Sequence, residues 1–227
     1  MAFISIKGLK RQYKMGQDIV VALNELNLDV DEGEFLCLMG PSGSGKSTLL
    51  NLLGGLDSPD AGSIVVNGQE ITKLDADGLA RYRQRQVGFI FQSFNLVPTM
   101  TALQNVEFPM VFSGVLPAER KRRATELLQQ VGLGERLNHK PTEMSGGQQQ
   151  RVAVARGLVN KPDILFADEP TGNLDSKTGE DIMAMLTEIN KNGQTVVMVT
   201  HDPKISTFAK RTIRMLDGHV VDDKSAG

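Results

Sequence analysis

The sequence predicts an α/β protein with a parallel core sheet, an antiparallel β subdomain and an inserted α-helical subdomain. Three observations carry this. Apolar runs of strand length at Glu34–Met39, Val87–Phe91, Ile164–Ala167, Thr195–Val199 and Thr212–Leu216 are separated by helical patterns, as in sheets covered on both faces. Residues 2–32 instead alternate apolar and polar positions around turn signals at Met15-Gly16 and Asp31-Glu32-Gly33, which suits antiparallel strands. From Ser93 to about Lys140 there are two helical patterns, Leu103–Phe112 and Ala118–Val131, with no strand.

The first apolar run, Glu34–Met39, leads directly into Gly40–Thr48, GPSGSGKST, and then into Leu49, Leu50, Leu52 and Leu53 on one face of a helix. Strand, glycine-rich loop and helix form the context that G-x-x-x-x-G-K-[ST] requires. Gly40, Gly43 and Gly45 can turn successive N–H groups inward into an anion nest, and the helix adds its positive N-terminal end. Lys46 is then placed to reach β and γ phosphates, and Ser47 to hold a magnesium ion.

Next come a turn at Ser58–Gly62, a strand at Ile64–Val66 and a hairpin signal at Asn67-Gly68, so the antiparallel sheet continues here. Leu79–Arg85 reads as a short charged helix, and the strand Val87–Phe91 ends at Gln92. The basic run Arg120–Arg123 has Glu119 and Glu126 close by and no interleaved aromatics, so it reads as a solvated helix face. Met144–Gln149 combines a serine, two glycines and a following helical pattern, a second place where backbone N–H groups can meet an anion. The strand Ile164–Ala167 ends in Asp168-Glu169-Pro170. Strand C-termini are where ligands sit in α/β sheets, so Asp168 can hold a metal through water and Glu169 can act as a general base. His201 follows the strand Thr195–Val199 in the same way, and its imidazole can donate to a γ-phosphate. His139 and His219 read as surface histidines, Cys37 as a core residue, and Asp222–Gly227 as a frayed tail.

Together these residues resemble the ATP-binding subunit of ABC transporters, over essentially the whole chain. Gly40–Thr48 is similar to Walker A, Gln92 to the Q-loop, Ser145–Gln149 to the signature loop and Ile164–Asp168 to Walker B. Asn173-Leu174-Asp175 resembles the D-loop, and Tyr13 the aromatic that stacks on adenine. Met144 stands where the signature has leucine and Gln149 where a charged residue is usual. The run Asp168–Asp175, with Gly54-Gly55-Leu56-Asp57 and Phe89-Ile90-Phe91-Gln92, resembles the MacB/LolD branch, which drives macrolide or toxin efflux, lipoprotein release and mechanical transmission. The cell-division ATPase of that branch and antimicrobial-peptide exporters share much of the pattern.

The resemblance implies a P-loop NTPase of the ABC ATPase fold, with core segments 1–92 and 161–227 around a helical subdomain 93–160 that carries the signature loop. It implies ATP binding by Tyr13, Gly40, Ser42, Gly43, Ser44, Gly45, Lys46, Ser47 and Thr48, and Mg2+ held by Ser47, Gln92 and Asp168. Glu169, His201 and Gln92 would serve catalysis. Ser145, Gly146, Gly147 and Gln148 would act on the nucleotide of a second subunit, with Asp175 in the D-loop. The partners implied are a second copy on ATP binding and an integral membrane permease, which places the chain in the cytoplasm at the inner face of the membrane. A soluble ABC ATPase acting on nucleic acid or ribosomes would carry long coiled coils or a second cassette, and this sequence shows neither. The net charge of −2 gives no global attraction to nucleic acid or anionic lipid. No stretch approaches the ~20 apolar residues of a spanning helix, and no direct lipid insertion is expected. Phe94–Met100 with Phe108–Phe112 is rich in large apolar side chains, so an exposed groove for a permease helix is expected there.

Overall fold

The computed structural model describes residues 2–16 and 18–225. In chain order the elements are β1 (Ile4–Met15), β2 (Asp18–Val30), β3 (Phe35–Met39), α1 (Lys46–Leu53), β4 (Ala61–Val66), β5 (Gln69–Glu70), α2 (Ala76–Gln86), β6 (Val87–Phe91), α3 (Ala102–Phe112) and α4 (Pro117–Gln130). There follow α5 (Gly146–Leu158), β7 (Ile164–Asp168), α6 (Ser176–Lys191), β8 (Thr195–Thr200), α7 (Pro203–Ser206), β9 (Arg211–Leu216) and β10 (His219–Ser225).

The strands form two sheets. One is antiparallel, in the order β2-β1-β4-β5; the other runs β10-β9-β3-β8-β7-β6. In the second sheet β9, β3, β8, β7 and β6 are mutually parallel. β3 and β8 lie in its centre, and their continuous apolar sequences are buried on both faces. Leu49, Leu50, Leu52 and Leu53 of α1 are buried between this sheet and the antiparallel one, each contributing about 2 kcal/mol of apolar burial. The opposite face of the large sheet is covered by Ile182, Met183 and Leu186 of α6 and by Val154 of α5. Cys37 lies in that core, where burial pushes its thiol up to about 12.

Two expectations need correction. The tail is not frayed as far as it is described: β10 runs antiparallel to β9 from His219↔Leu216 to Ser225↔Arg211. Across this ladder Arg211 Nε and Nη2 donate to the two carboxylate oxygens of Asp223 at 2.8 Å each. Residues 226–227 lie outside the described residues. The groove is also built differently. Val106 and Met110 are buried in a separate helical core with Ala124, Leu128, Val152 and Ala155, and Leu96 packs against it. The groove that does open, about 590 Å3, is lined by Phe89 and Phe91 of β6, Pro109 and Phe112 of α3, Arg83 of α2 and Arg156 of α5, among others. Leu96 and Met100 do not line it.

Met144, where the signature has leucine, is buried in the helical core, so the swap keeps its apolar role. In the basic run, Arg122 pairs with Glu119 and Glu126, and Arg123 with Glu119, all on α4.

Candidate functional site

The loop between β3 and α1 folds as the glycine spacing requires. Gly45 has φ +95°, and a Cβ there would lie 2.3 Å from the carbonyl oxygen of Ala22. At Gly40 a Cβ would lie 2.3 Å from the Met215 carbonyl oxygen. Larger residues at either position would push the loop off the strands beneath it. α1 has Gly45 as its N-cap with no side-chain cap, so its first N–H groups are left for a ligand.

Lys46 is buried at the base of this loop. Its Nζ donates to the carbonyl oxygens of Gly40 and Pro41, both at 2.8 Å, and lies 3.5 Å from Ser44 Oγ. Burial holds its ammonium below the usual lysine value, although Glu169 and Asp168 pull the other way. Ser47 Oγ donates to Asp168 Oδ1 at 3.3 Å. Burial raises the Asp168 carboxyl, with Glu169 adding to the rise and the Ser47 hydrogen bond and Lys46 opposing it.

Glu169 follows with φ +47°, and its N–H donates to the Val199 carbonyl at 3.0 Å. Its Oε1 lies 2.8 Å from His201 Nδ1, and its Oε2 accepts from Thr200 Oγ1 at 3.3 Å. The Gln92 carbonyl accepts from Asn173 Nδ2 at 2.9 Å. The Gln92 amide lies so close to Gly172 that a Cβ there would sit 2.7 Å from Nε2.

These groups surround a cavity of about 680 Å3, within the range of small-molecule sites. Tyr13, Ser42, Gly43, Gly45, Lys46, Ser47, Thr48, Gln92, Glu169 and His201 all line it. Gly40 and Ser44 do not; Ser44 is buried under the loop. Asp168 reaches the site through Ser47. Val20 and Ala22 of β2 also line the cavity, as do Pro41 and Val199. None of them was singled out by sequence. The exposure of Val20, an apolar residue on a hairpin arm, is a structural signal that apolar–polar alternation did not isolate.

Among the described residues, none of Ser145, Gly146, Gly147 and Gln148 lines this cavity. Ser145 caps α5, with its Oγ accepting from Gln148 N and Gln148 Oε1 accepting from Ser145 N. A Cβ at Gly147 would lie 2.3 Å from Thr178 Cγ2, so a larger residue there would have to displace the Thr178 side chain of α6. Asp175 caps α6 through Thr178 N and Oγ1, and those hydrogen bonds hold its carboxyl below the usual range.

The oxygen pair of Ser47 and Asp168 suits a hard cation. Among the described residues there is no group of three or more His, Cys, Asp or Glu that could hold a metal alone. A pair of protein oxygens is what Mg2+ takes when it completes its shell with water and substrate phosphates.

A family model described as ABC transporter matches residues 23–172. The chain belongs to the ABC transporter family. This ABC ATPase is 51% identical over 222 residues to an uncharacterized ABC transporter ATP-binding protein, MJ0796, of Methanocaldococcus jannaschii, covering 96% of this chain and 94% of the relative. It is 49% identical over 223 residues to the macrolide export ATP-binding/permease protein MacB of Marinobacter nauticus, covering 98% of this chain. The match spans 35% of that MacB relative's own length. Among solved structures, the dimeric post-hydrolysis state of the MJ0796 cassette bound to ADP and Pi superposes with a TM-score of 0.91 at 47% identity, covering 99% of both chains. The ABC ATPase binds ATP and has the α/β fold of these cassettes.

Proposed function

We propose that this ABC ATPase dimerises head to tail around two Mg·ATP and drives a membrane permease. The observation that carries the dimer is the position of the signature loop: Ser145–Gln148 stand apart from the cavity of their own chain, while offering the N-terminus of a 13-residue helix. A second copy in twofold relation would bring that loop to the open side of the nucleotide.

In this reading the loop N–H groups and Lys46 hold the phosphates, and Tyr13 takes the base. Ser47, Asp168 and Gln92 would hold Mg2+, which when bound neutralises charge on the phosphate oxygens. Glu169 accepts a proton from the attacking water as that water bonds to the γ-phosphorus and ADP leaves. His201 orients the Glu169 carboxylate and donates to the γ-phosphate. Asp175 shapes the turn facing the second copy.

The permease reading draws on the MacB relative, named an ATP-binding/permease protein. No helix of the described residues is long and apolar enough to cross a membrane; in this reading the ATPase works on a permease from the cytoplasmic face. Efflux, lipoprotein release or mechanical transmission is the kind of work such a pair performs. Segments 1–92 and 161–227 would act as the nucleotide-binding core and 93–160 as the arm that carries the signature. Light scattering on the Glu169→Gln protein with Mg·ATP tests the dimer: a shift from monomer to dimer is expected. A persistent monomer at saturating ATP overturns it.

A further inference from the structure

A cluster at one end of the cavity belongs neither to the phosphate cradle nor to the hydrolytic groups. Arg11 donates through Nε and Nη2 to the two carboxylate oxygens of Asp57, at 3.0 and 2.7 Å. Its Nη1 donates to Asp60 at 3.0 Å, and the other Asp60 oxygen accepts from Gln12 N at 2.6 Å. The Tyr13 hydroxyl donates to the same Asp57 carboxylate at 2.8 Å. The Arg11 guanidinium carbon sits over the Tyr13 ring, 4.8 Å from its centroid. Tyr13 is thus gripped at its tip and on one face, and the ring still borders the cavity.

The strand ladder does not by itself set where this ring points. The pairing of β1 with β2 shifts register between Leu9 and Arg11 and again between Arg11 and Gln12, and Ile19, Val20 and Val21 opposite are exposed. An aromatic on such an arm is free to turn unless something else holds it. Asp57 can do so because it is itself fixed: its Oδ1 accepts from Ser58 N at 2.8 Å, and it lies just beyond the C-terminal end of α1. Partial burial works against its charge, but the hydrogen bonds from Tyr13 and Ser58 and the charge of Arg11 keep its carboxyl below the usual range. The helix whose N-terminus carries the phosphate cradle therefore also carries, at its other end, the anchor of the tyrosine.

We infer that Arg11 and Asp57 are positioning residues for nucleotide binding: they lock the Tyr13 ring against a nucleobase at a fixed distance from the phosphate cradle. With its hydroxyl committed to Asp57, Tyr13 recognises the base by its ring face alone. This rests on the reading that Tyr13 takes the base, and the test separates the two.

The full chain is compared with Tyr13→Ala, Tyr13→Phe and Arg11→Gln for binding of Mg·ATP and of inorganic tripolyphosphate, which has no base. Tyr13→Phe keeps the ring and removes only the tether; Arg11→Gln removes the charge on the ring face and the pairing to Asp57. Both are expected to weaken ATP by ~3- to 10-fold, the cost of freeing one ordered side chain, with tripolyphosphate affinity and kcat unchanged and KM raised. If Tyr13→Ala weakens ATP but Tyr13→Phe and Arg11→Gln bind it like the parent, the ring stacks unaided and the positioning role is overturned. If Tyr13→Ala also binds normally, the base lies elsewhere and both readings fall. Parallel loss of tripolyphosphate affinity means that the cluster only supports the fold, which equally overturns positioning.

Discussion

His201 Nδ1 lies 2.8 Å from Glu169 Oε1, joining the ends of two adjacent parallel strands across one wall of the cavity. Glu169 reaches this position through a left-handed backbone at φ +47°, a conformation that costs a non-glycine residue ~1 kcal/mol or more. The turn lets two consecutive carboxylates serve one site, Asp168 toward Ser47 and Glu169 toward His201.

Replacing Glu169 with Gln keeps that shape but removes the group able to accept a proton. Turnover should fall by ~10²- to 10⁴-fold, with ATP still bound in equilibrium dialysis. An active Glu169→Gln protein would assign the general base to another residue.

Lys46→Ala should act on binding instead. Its ammonium, already desolvated beneath the loop, is positioned to exchange two carbonyl partners for phosphate oxygens. Loss of a charge-assisted hydrogen bond of about 1.5–3 kcal/mol predicts ~10- to 100-fold weaker ATP in calorimetry. Undiminished affinity would show that the cradle holds phosphate through backbone N–H groups alone.

Much of the architecture was legible because it rests on local pattern. The buried strands announced themselves as apolar runs, and β6, Val87–Phe91, is one of them. The glycine-rich loop, the carboxylates at the end of β7 and the histidine after β8 are each set by position relative to a strand end. What the sequence hid depends on partners distant along the chain. Asp222–Ser225 looked too polar to be ordered, because its partners, the β9 ladder and Arg211, lie on the neighbouring strand. Asp57 stood out only as part of the Gly54–Asp57 resemblance, because its ties to Arg11 and Tyr13 span more than 40 positions. Leu96 looked exposed, because nothing local shows that the helical core lies beneath it.

The tail therefore carries its own prediction. Hydrogen bonds from Arg211 hold the Asp223 carboxyl below the usual range; burial works against them and the Arg211 charge adds to the fall. A carboxyl lowered in the folded state stabilises fully above its unfolded value, and that contribution is lost as pH falls through the lower native value. Amide protection over residues 219–225 should therefore be steady at neutral pH and drop at strongly acid pH, ahead of β3 and β8. In Arg211→Ala it should be low already at neutral pH. Equal protection in that variant would mean that the β9 ladder holds the tail unaided.

The last prediction concerns the permease. The groove lined by Phe89, Phe91, Pro109 and Phe112 begins on β6, one residue before Gln92. Phe112 is 68% exposed and meets Phe108 edge to face, with ring centroids 5.2 Å apart. Arg156 of α5 donates to the carbonyls of Phe94 and Asn95, so the segment after Gln92 is tied to the helix that starts at the signature loop. A short apolar helix of the permease seated in this groove would feel movements of both. Phe112→Ser removes an exposed side chain and should change stability by less than about 0.5 kcal/mol. Basal ATPase activity of the isolated chain should stay intact, while stimulation by the co-expressed permease in membranes is lost. Leu96→Ser makes the contrast: Leu96 packs on the helical core, so this change should destabilise the chain by roughly 1–2 kcal/mol and lower activity with or without the permease. If Phe112→Ser is stimulated normally, the permease docks on another face. If it unfolds the chain, Phe112 is a structural residue despite its exposure.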